Sequence, residues 1–419
     1  MKKGNAPMER TVCELFAGVG GFRCGLNAIH GPEDMRIGGA RSMGGGHSVE
    51  GGHPTEGEHS VEVGHPMEVE HSMEEEHSRE EKWSTVWFNQ WEPAEKNTQY
   101  AHDCYVYHFG TCLDKAGQDT TNVDIEEVDK SLIPDFNLLV GGFPCQDYSV
   151  ASSLATSRGL EGKKGILWWS IRKVLEVKRP PFVLLENVDR LLKSPASQRG
   201  RDFGIMLACF RDAGYAVEWR VINAADYGLP QRRRRIFIFA CREDTAYCAR
   251  QERAAGYERR AAEGTRKADA ADGEAWKVGA AALISAAGFF AGTFPVGPVG
   301  AEQIKAQELP ESLGELSASF RFGFENAGVM RDGMVYTAKT TPSYQGPQTT
   351  LGDIMEQGDV EEAYFIPEER LYYTSPEITR SDETRESLSK EQRKTWQYLK
   401  GAKKLLREAA SGHAYVFSE

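Results

Sequence analysis

The sequence predicts an α/β fold built on a doubly wound, mostly parallel β-sheet over roughly residues 9–242. Short apolar runs rich in Val, Ile, Leu and Phe are typical of strands buried on both faces. Five such runs occur, in the order TVCELFAG, TVWFNQW, FNLLVGGF, PFVLLENV and RIFIFA. Residues 165–177 and 203–213, which lie between these runs, place apolar side chains three and four apart and predict helices. Strands that alternate with helices favour a parallel sheet.

Residues 31–82 interrupt this pattern with a tandem repeat. Six hexapeptides carry His at 47, 53, 59, 65, 71 and 77, each with a Glu three residues later. A period of six matches neither a helix nor a strand, and the segment has almost no large apolar side chains. We therefore predict a disordered insertion between two parts of one domain, residues 1–30 and 83–242. The spaced imidazoles and carboxylates could alternatively form a weak metal site, although we expect no bound metal.

The formal net charge of -12 at first argues against a nucleic-acid partner, because phosphate binding needs a basic surface. Residues 31–82 alone hold thirteen carboxylates against four Lys or Arg side chains, a sum of -9. The other 367 residues therefore carry only about -3. The overall charge does not exclude a DNA-binding protein.

The eight cysteines show no paired short spacing, which favours reduced thiols and a cytoplasmic protein. The opening residues lack the apolar stretch of a secretory signal. Residues 278–300 form a long uncharged run, which Pro295 and Pro298 break. A run of this kind predicts a buried helix of about a dozen residues rather than a membrane span. We expect no membrane partner.

Two predicted strands end in residues suited to a nucleotide cofactor. The first strand runs into Ala17-Gly18-Val19-Gly20-Gly21 and then a helix, and ligands of open parallel sheets bind beyond the carboxyl ends of the strands. A glycine turn before a helix is also a common structural connection. The second strand ends in Gln90-Trp91, which offers an aromatic face for an adenine and a polar group for a ribose. Trp91 could equally belong to the core.

The next strands end in residues with chemical reactivity. Cys145 follows Pro144 at the mouth of a buried strand, where a thiolate could act as a nucleophile, although most lone cysteines are inert core residues. Glu186 ends the following strand and places a carboxyl group at the same edge. These two strand ends predict a reactive site there.

A run of four arginines, residues 232–235, precedes the last predicted strand. Alternation along an extended chain puts Gln231, Arg233 and Arg235 on one face. If this strand runs antiparallel to the others, its beginning lies at the edge that carries the thiol and the carboxyl group. The run could instead be a solvated patch that binds phosphates.

These segments resemble the motifs of the cytosine-C5 DNA methyltransferases of bacterial restriction-modification systems. FAGVGG, GGFPCQDYS, LLENV and QRRRR stand in the order of that family, over about residues 9–242 without the insertion. Asp124-Ile125 and Gly165-Ile166-Leu167 resemble two smaller motifs. The resemblance implies a Rossmann-like class I methyltransferase fold with an antiparallel strand, and a partial, irregular target-recognition domain over residues 243–419. It also implies S-adenosylmethionine as methyl donor and double-stranded DNA as partner.

The resemblance implies a role for each matching residue. Cys145 would add to carbon 6 of a cytosine flipped out of the duplex, Glu186 would protonate N3, and Arg235, supported by Arg233, would hold O2. Residues implied to bind the cofactor are Phe16, Gly18, Gly20, Gly21, Gln90, Trp91, Asp124, Ile125, Pro144 and Leu167. Residues implied to contact DNA are Gln146, Ser149, Gln231 and Arg232.

The sequence departs from the family pattern at two places, and both bear on whether the chain is an active enzyme. Gln90 stands where the family commonly has an acid that binds the ribose hydroxyls. The ninth and tenth motifs of the family are not found before the sequence reaches SGHAYVFSE. We expect either a methyltransferase completed by a second polypeptide, or a degenerate protein that binds DNA or cofactor without turnover. A relative acting on RNA, or an unrelated nucleotide-binding module, is a third hypothesis.

Residues 243–419 are expected to recognise the DNA sequence. A basic stretch over residues 390–407, which includes Trp396 and Tyr398, could contact phosphates from a helix. A plain solvated helix has the same pattern. The recognised bases do not follow from one sequence, because specificity comes from individual side chains at the base edges.

Overall fold

The computed structural model describes residues 9–28, 83–93, 98–143, 166–256 and 270–354. The predictions for the repeat insertion, for residues 144–149 and for the basic stretch 390–407 fall outside these ranges. Within them, the structure contains one nine-stranded sheet with the strand order β2-β1-β3-β4-β6-β5-β8-β9-β7. The strands are β1 (Thr11–Leu15), β2 (Ser84–Asn89), β3 (Leu138–Gly142), β4 (Phe182–Val188), β5 (Tyr215–Asn223), β6 (Arg234–Arg242), β7 (Lys305–Glu308), β8 (Ala327–Arg331) and β9 (Met334–Ala338).

The predicted α/β sheet is confirmed, including its antiparallel strand. Strands β2, β1, β3 and β4 pair in parallel, and β6 runs antiparallel to both β4 and β5. The sequence patterns missed β5. This strand carries two charged side chains, Glu218 and Arg220, that are buried in the structure, so its sequence does not read as an apolar run.

The helices flank the sheet, and the two predicted from periodicity are confirmed as Ile166–Lys178 and Arg201–Asp212. The α-helices are α1 (Gly21–Ala28), α2 (Tyr100–Phe109), α3 (Ile166–Lys178), α4 (Arg201–Asp212), α5 (Ala246–Ala254), α6 (Ala270–Ala282), α7 (Leu313–Ser319) and α8 (Leu351–Ile354). The helix expected within residues 278–300 begins earlier, as α6, and ends in a wider turn at Leu283–Ala287. No helix in the described ranges is long and apolar enough to cross a bilayer.

The sheet continues past Arg242 into the part of the chain expected to recognise DNA. Strand β8 pairs antiparallel with β5, and Trp219 lies opposite Gly328. The aromatic rings of Phe203, Trp219 and Phe324 pack edge to face, with centroids 4.9 to 5.8 Å apart. Residues on both sides of Arg242 therefore share one core. The proposed division into domains at residue 243 stays a prediction.

Buried charges on β5 join the sheet to the segment after α6. The Glu218 carboxylate accepts hydrogen bonds from the backbone amides of Phe289 (2.8 Å) and Phe290 (3.2 Å). Arg220 donates to the backbone carbonyls of Ile284 and Phe294. Burial raises the pKa of Glu218, and the two amides oppose that rise. These bonds satisfy charged groups that would otherwise be costly to bury.

The described residues that flank the repeat insertion lie together at the beginning of β2. The backbone amide of Trp83, directly before β2, donates to the Asn27 side chain at the end of α1 over 3.0 Å. Asn27 in turn donates to the Arg23 carbonyl (3.1 Å). The described residues on either side of the insertion are thus in direct contact.

We predict that Gly328→Ala destabilises the protein by about 1–3 kcal/mol, because a methyl group at this position collides with the Trp219 ring and the Tyr336 backbone. Gly273→Ala in α6 is the control, since a methyl group there meets no atom within 4 Å. Alanine favours a helix by up to about 1 kcal/mol over glycine, so this variant is expected to be neutral or stabilised. Urea unfolding of both full-length variants measures the difference. Equal stabilities would contradict the shared core.

Candidate active site

The carboxyl ends of the parallel strands and the beginning of β6 meet at one edge of the sheet. Gly142, the last residue of β3, pairs with Glu186 of β4. On the other side of β4, Val188 pairs with Arg235 of β6. Because β6 runs in the opposite direction, its first residues lie beside the ends of β3 and β4, as the sequence predicted.

A carboxylate and two guanidinium groups converge at this edge. Arg235 Nε lies 2.9 Å from Glu186 Oε1, and an Arg233 terminal nitrogen lies 3.8 Å from the same oxygen. The side chains of Glu186 and Arg235 are 21% and 25% exposed, whereas that of Arg233 is 49% exposed. The Glu186–Arg235 pair is therefore partly shielded from water and still reachable by a ligand.

The predicted alternation is confirmed for Arg233, Arg234 and Arg235. Arg234 points away from Glu186 and pairs with Asp189 (Nε to Oδ2, 2.8 Å). Gln231 and Arg232, predicted to contact DNA, are exposed next to the site. Arg235 is further held by its own hydrogen bond to the Arg234 carbonyl (2.9 Å).

Two residues that the sequence reasoning did not single out shape this site. The Asn187 side chain is buried and donates to the Phe143 carbonyl over 3.0 Å, which ties the end of β4 to the residue before Pro144. At Gly142, an added methyl group would lie 3.3 Å from Glu186 Oε2 and crowd the carboxylate. Both residues belong to recognised motifs, LLENV and GGFPCQDYS, and that membership was the only available signal.

The glycine turn follows the carboxyl end of β1 and so lies at the same edge of the sheet. Phe16, Gly18 and Gly20 adopt positive φ values of 54°, 57° and 90°. A methyl group at Gly20 would collide with the Phe109 ring, whereas one at Gly18 would meet no atom of the described residues within 4 Å. Among the residues that the structure describes, the turn is thus packed at Gly20 and open at Gly18. An open, glycine-lined turn before a helix suits a nucleotide ligand.

The end of β2 supports this turn. The Gly18 amide donates to Gln90 Oε1 over 2.8 Å, and the Ala17 amide donates to the Asn89 carbonyl over 3.0 Å. Trp91, the predicted adenine contact, is half-buried at the same strand end. Gln90 therefore contacts the glycine turn directly, a role that the sequence did not predict.

A buried carboxyl group lies beneath the turn. Glu14 Oε2 accepts a hydrogen bond from the Tyr105 hydroxyl (3.1 Å), and the carboxylate also accepts from the backbone amides of Phe22 and Arg23 at the start of α1. Burial raises the pKa of Glu14 to about 7, against the opposing effect of these hydrogen bonds. The glycine turn is held from below by a group that titrates near neutral pH.

The other predicted cofactor contacts among the described residues differ in their exposure. The Asn89 side chain donates to the Val123 carbonyl (2.8 Å), which fixes the segment containing Asp124 beside the end of β2. Ile125 is only 2% exposed and lies in the main core. Leu167 is partly buried against that core. Pro144, Cys145, Gln146 and Ser149 lie outside the described residues. Among the described residues, no cluster of His, Cys, Asp or Glu suits a metal ion.

A doubly wound sheet, a glycine turn after its first strand, and a carboxylate flanked by arginines define a Rossmann-type methyltransferase. The family model for C-5 cytosine-specific DNA methylases matches residues 70–273. The chain is 34% identical over 410 residues to the type II methyltransferase M.Sau3AI of Staphylococcus aureus, an alignment that covers 97% of this chain and 74% of that protein. The chain therefore belongs to the C-5 cytosine-specific DNA methylase family, as its motifs predicted.

Other relatives match a smaller part of the chain. It is 36% identical over 155 residues to M.NgoBI of Neisseria gonorrhoeae, covering 37% of this chain and 43% of that protein. It is 30% identical over 159 residues to M.HhaI of Haemophilus parahaemolyticus, covering 38% of this chain and 42% of that protein. The alignment with the staphylococcal protein, by contrast, extends through most of the residues beyond Arg242. Family membership makes the chain a DNA cytosine-5 methyltransferase by class and excludes an unrelated nucleotide-binding module.

We predict that Arg235→Ala lowers kcat for methyl incorporation into DNA by about 10²–10³, because it removes a fixed positive charge beside Glu186 at the carboxyl edge of the sheet. Arg235→Lys is expected to recover only part of the loss, since lysine lacks the planar fork that meets the carboxylate. Arg234→Ala is the matched control, because its side chain is 57% exposed and pairs with Asp189 instead. Equal losses in Arg234→Ala and Arg235→Ala would contradict the assignment.

The raised pKa of Glu14 predicts a pH-dependent stability. The folded protein holds this proton up to about pH 7, whereas the unfolded chain releases it near 4.5, so this contribution to stability is lost as pH rises through about 7. The loss amounts to about 3 kcal/mol. Glu14→Gln keeps an acceptor but cannot titrate. Urea unfolding at pH 4.5 and 8 should show the wild-type protein losing about that much stability relative to the variant, and a constant difference would refute the prediction.

Proposed function

We propose that this chain transfers a methyl group from S-adenosylmethionine to carbon 5 of a cytosine in duplex DNA, as the modification enzyme of a restriction-modification system. The observation that carries the proposal is the 2.9 Å contact between Arg235 and Glu186 at the carboxyl edge of the sheet. In the sequence, Cys145 follows only three residues after Gly142, the strand partner of Glu186. The similarity to type II methyltransferases supports the same chemistry.

The residues around the glycine turn fit the methyl donor. The described residues leave room for a ligand at Gly18, while Trp91 follows the end of β2 and Asp124 belongs to the segment that Asn89 fixes there. In this proposal the turn backbone holds the amino-acid part and Trp91 packs against the adenine. When bound, S-adenosylmethionine supplies an electrophilic methyl group to carbon 5.

The reacting residues make carbon 5 of the cytosine nucleophilic. The Cys145 thiolate adds to carbon 6 and opens the 5,6 double bond, and the electron pair moves into the ring. Glu186 holds N3 and gives it a proton, while Arg235 stabilises the charge that develops at O2. After methylation, carbon 5 loses its proton to a base, the thiolate leaves carbon 6, and N3 returns its proton to Glu186, which restores the double bond and the neutral ring. The contact between Glu186 and Arg235 keeps both groups on one edge of the ring.

The geometry of this attack requires the target base to leave the DNA stack. A thiolate approaches carbon 6 perpendicular to the ring, and that face is covered by neighbouring bases in a duplex. We propose that Gln146, Ser149, Gln231 and Arg232 contact the opened DNA and that residues 243–419 recognise the sequence around it. If this chain methylates DNA on its own, the reaction does not need the second polypeptide that was expected to carry the ninth and tenth motifs.

We predict that the full chain forms a covalent complex with duplex DNA containing 5-fluorocytosine at the target position, in the presence of S-adenosylmethionine. Fluorine at carbon 5 cannot leave as a cation, so the bond from Cys145 to carbon 6 persists. Denaturing gel electrophoresis detects the complex. Cys145→Ser is expected to abolish it, and Glu186→Gln is expected to slow its formation by about 10² or more.

Cys24→Ser is the matched control, because Cys24 is an exposed thiol on α1 beside the glycine turn. This variant is expected to form the complex at the wild-type rate. A complex that persists in Cys145→Ser would refute Cys145 as nucleophile. Tritium transferred from the methyl donor to adenine or RNA, and not to cytosine in DNA, would refute the proposed substrate.

A further inference from the structure

The side chain of Gln90 joins the end of β2 to the glycine turn that follows β1. The backbone pairing of these parallel strands ends at Leu15 and Asn89. Beyond it, the Ala17 amide donates to the Asn89 carbonyl (3.0 Å), and the next amide, that of Gly18, donates to Gln90 Oε1 (2.8 Å). A side-chain oxygen at the end of β2 thus accepts the hydrogen bond of a backbone amide in the turn.

We propose that Gln90 is a positioning residue whose oxygen fixes the Gly18 amide rather than binding the cofactor ribose. This inference rests on the proposed function, because it concerns how the methyl donor is held. The carboxamide orientation follows from the donor it meets, since a backbone N–H can only bond the oxygen. The oxygen is thereby engaged by the turn, and the nitrogen Nε2 can face a ligand.

The surroundings of Gln90 hold it in place for this role. Its backbone amide donates to the Thr121 carbonyl over 2.9 Å. The neighbouring Asn89 side chain, which is buried, donates to the carbonyls of Thr121 and Val123. Both residues at the end of β2 are thus anchored to one loop, and the Gln90 side chain is directed to the glycine turn.

The hydrogen bond from the Gly18 amide limits which side chains can replace Gln90. A glutamate could accept from the Gly18 amide with one oxygen and from a ribose hydroxyl with the other. Glutamine accepts with its oxygen and donates with its nitrogen, so it would offer the ribose a donor in place of an acceptor. A side chain without an acceptor leaves the Gly18 amide unpaired, which loosens a turn that needs a positive φ at that residue.

The test uses the full chain and two observables. Hydrogen exchange at the Gly18 amide, measured without ligand, reports on the bond itself. Calorimetry with S-adenosylhomocysteine reports on cofactor binding. The variants are Gln90→Met, which keeps the length and removes the acceptor, and Gln90→Glu, which keeps the acceptor.

Gln99→Met is the matched control. Gln99 makes an equivalent clamp nearby, accepting from the Glu92 amide and donating to the Glu92 carbonyl, each over 2.8 Å, without contacting the glycine turn. A general loosening of the segment after β2 would affect this variant as much as Gln90→Met.

Gln90→Met is expected to speed Gly18 exchange at least tenfold and to weaken S-adenosylhomocysteine binding about five- to tenfold, the size of one lost hydrogen bond. Gln90→Glu is expected to keep the exchange protection, and Gln99→Met to stay within twofold of wild type in both measurements. Unchanged exchange at Gly18 in Gln90→Met, lost protection in Gln90→Glu, or an equal effect of Gln99→Met would each overturn the inference. If the wild-type protein does not bind S-adenosylhomocysteine, the proposed cofactor is wrong instead, and the Gly18 exchange still decides the role of Gln90.

Discussion

The antiparallel pairing of β6 with β4 determines where the charged side chains of the candidate active site lie. A parallel strand at that place would begin beside Phe182 and carry the arginines to the opposite end of β4 from Glu186. Strand β6 begins at the carboxyl edge of the parallel strands, and its Arg235 pairs with Val188 of β4. This register places the Arg235 guanidinium against the Glu186 carboxylate and the Arg233 guanidinium near it. Asn187, between Glu186 and Val188, uses the same strand end to fix the carbonyl of Phe143. Strand direction and register together thus set the geometry of the proposed catalytic groups.

The cofactor side depends on two different supports for one short turn. Glu14 binds the first amides of α1 from within the core, and Gln90 binds the Gly18 amide from the neighbouring strand. Neither contact requires a ligand, so the backbone of the turn is already arranged before one arrives. Such pre-organisation reduces the entropy that binding must otherwise overcome. It also leaves the side of the turn at Gly18 clear.

Much of the fold and part of the site could be predicted from sequence, for identifiable reasons. The strands that end in Gly142, Val188 and Asn89 are apolar because both of their faces are covered, so their sequences alone reveal them. Strand β5 was missed because Glu218 and Arg220 find their partners in residues 284–294, which no local pattern shows. The bond between Gly18 and Gln90 was missed for a related reason, since the two residues are 72 positions apart and the repeat lies between them. The motif resemblance correctly placed Glu186, Arg233 and Arg235 together, but it could not state their distances.

The hydrogen bond between Asn27 and Trp83 has a consequence for how this gene can change over time. The polypeptide between these residues starts and finishes at the same spot, next to the outermost strand and away from the carboxyl edge. Each repeat unit is six codons long, so gaining or losing a copy by slippage during replication preserves the reading frame. A change in copy number would therefore leave the residues of the sheet and of its carboxyl edge unaltered.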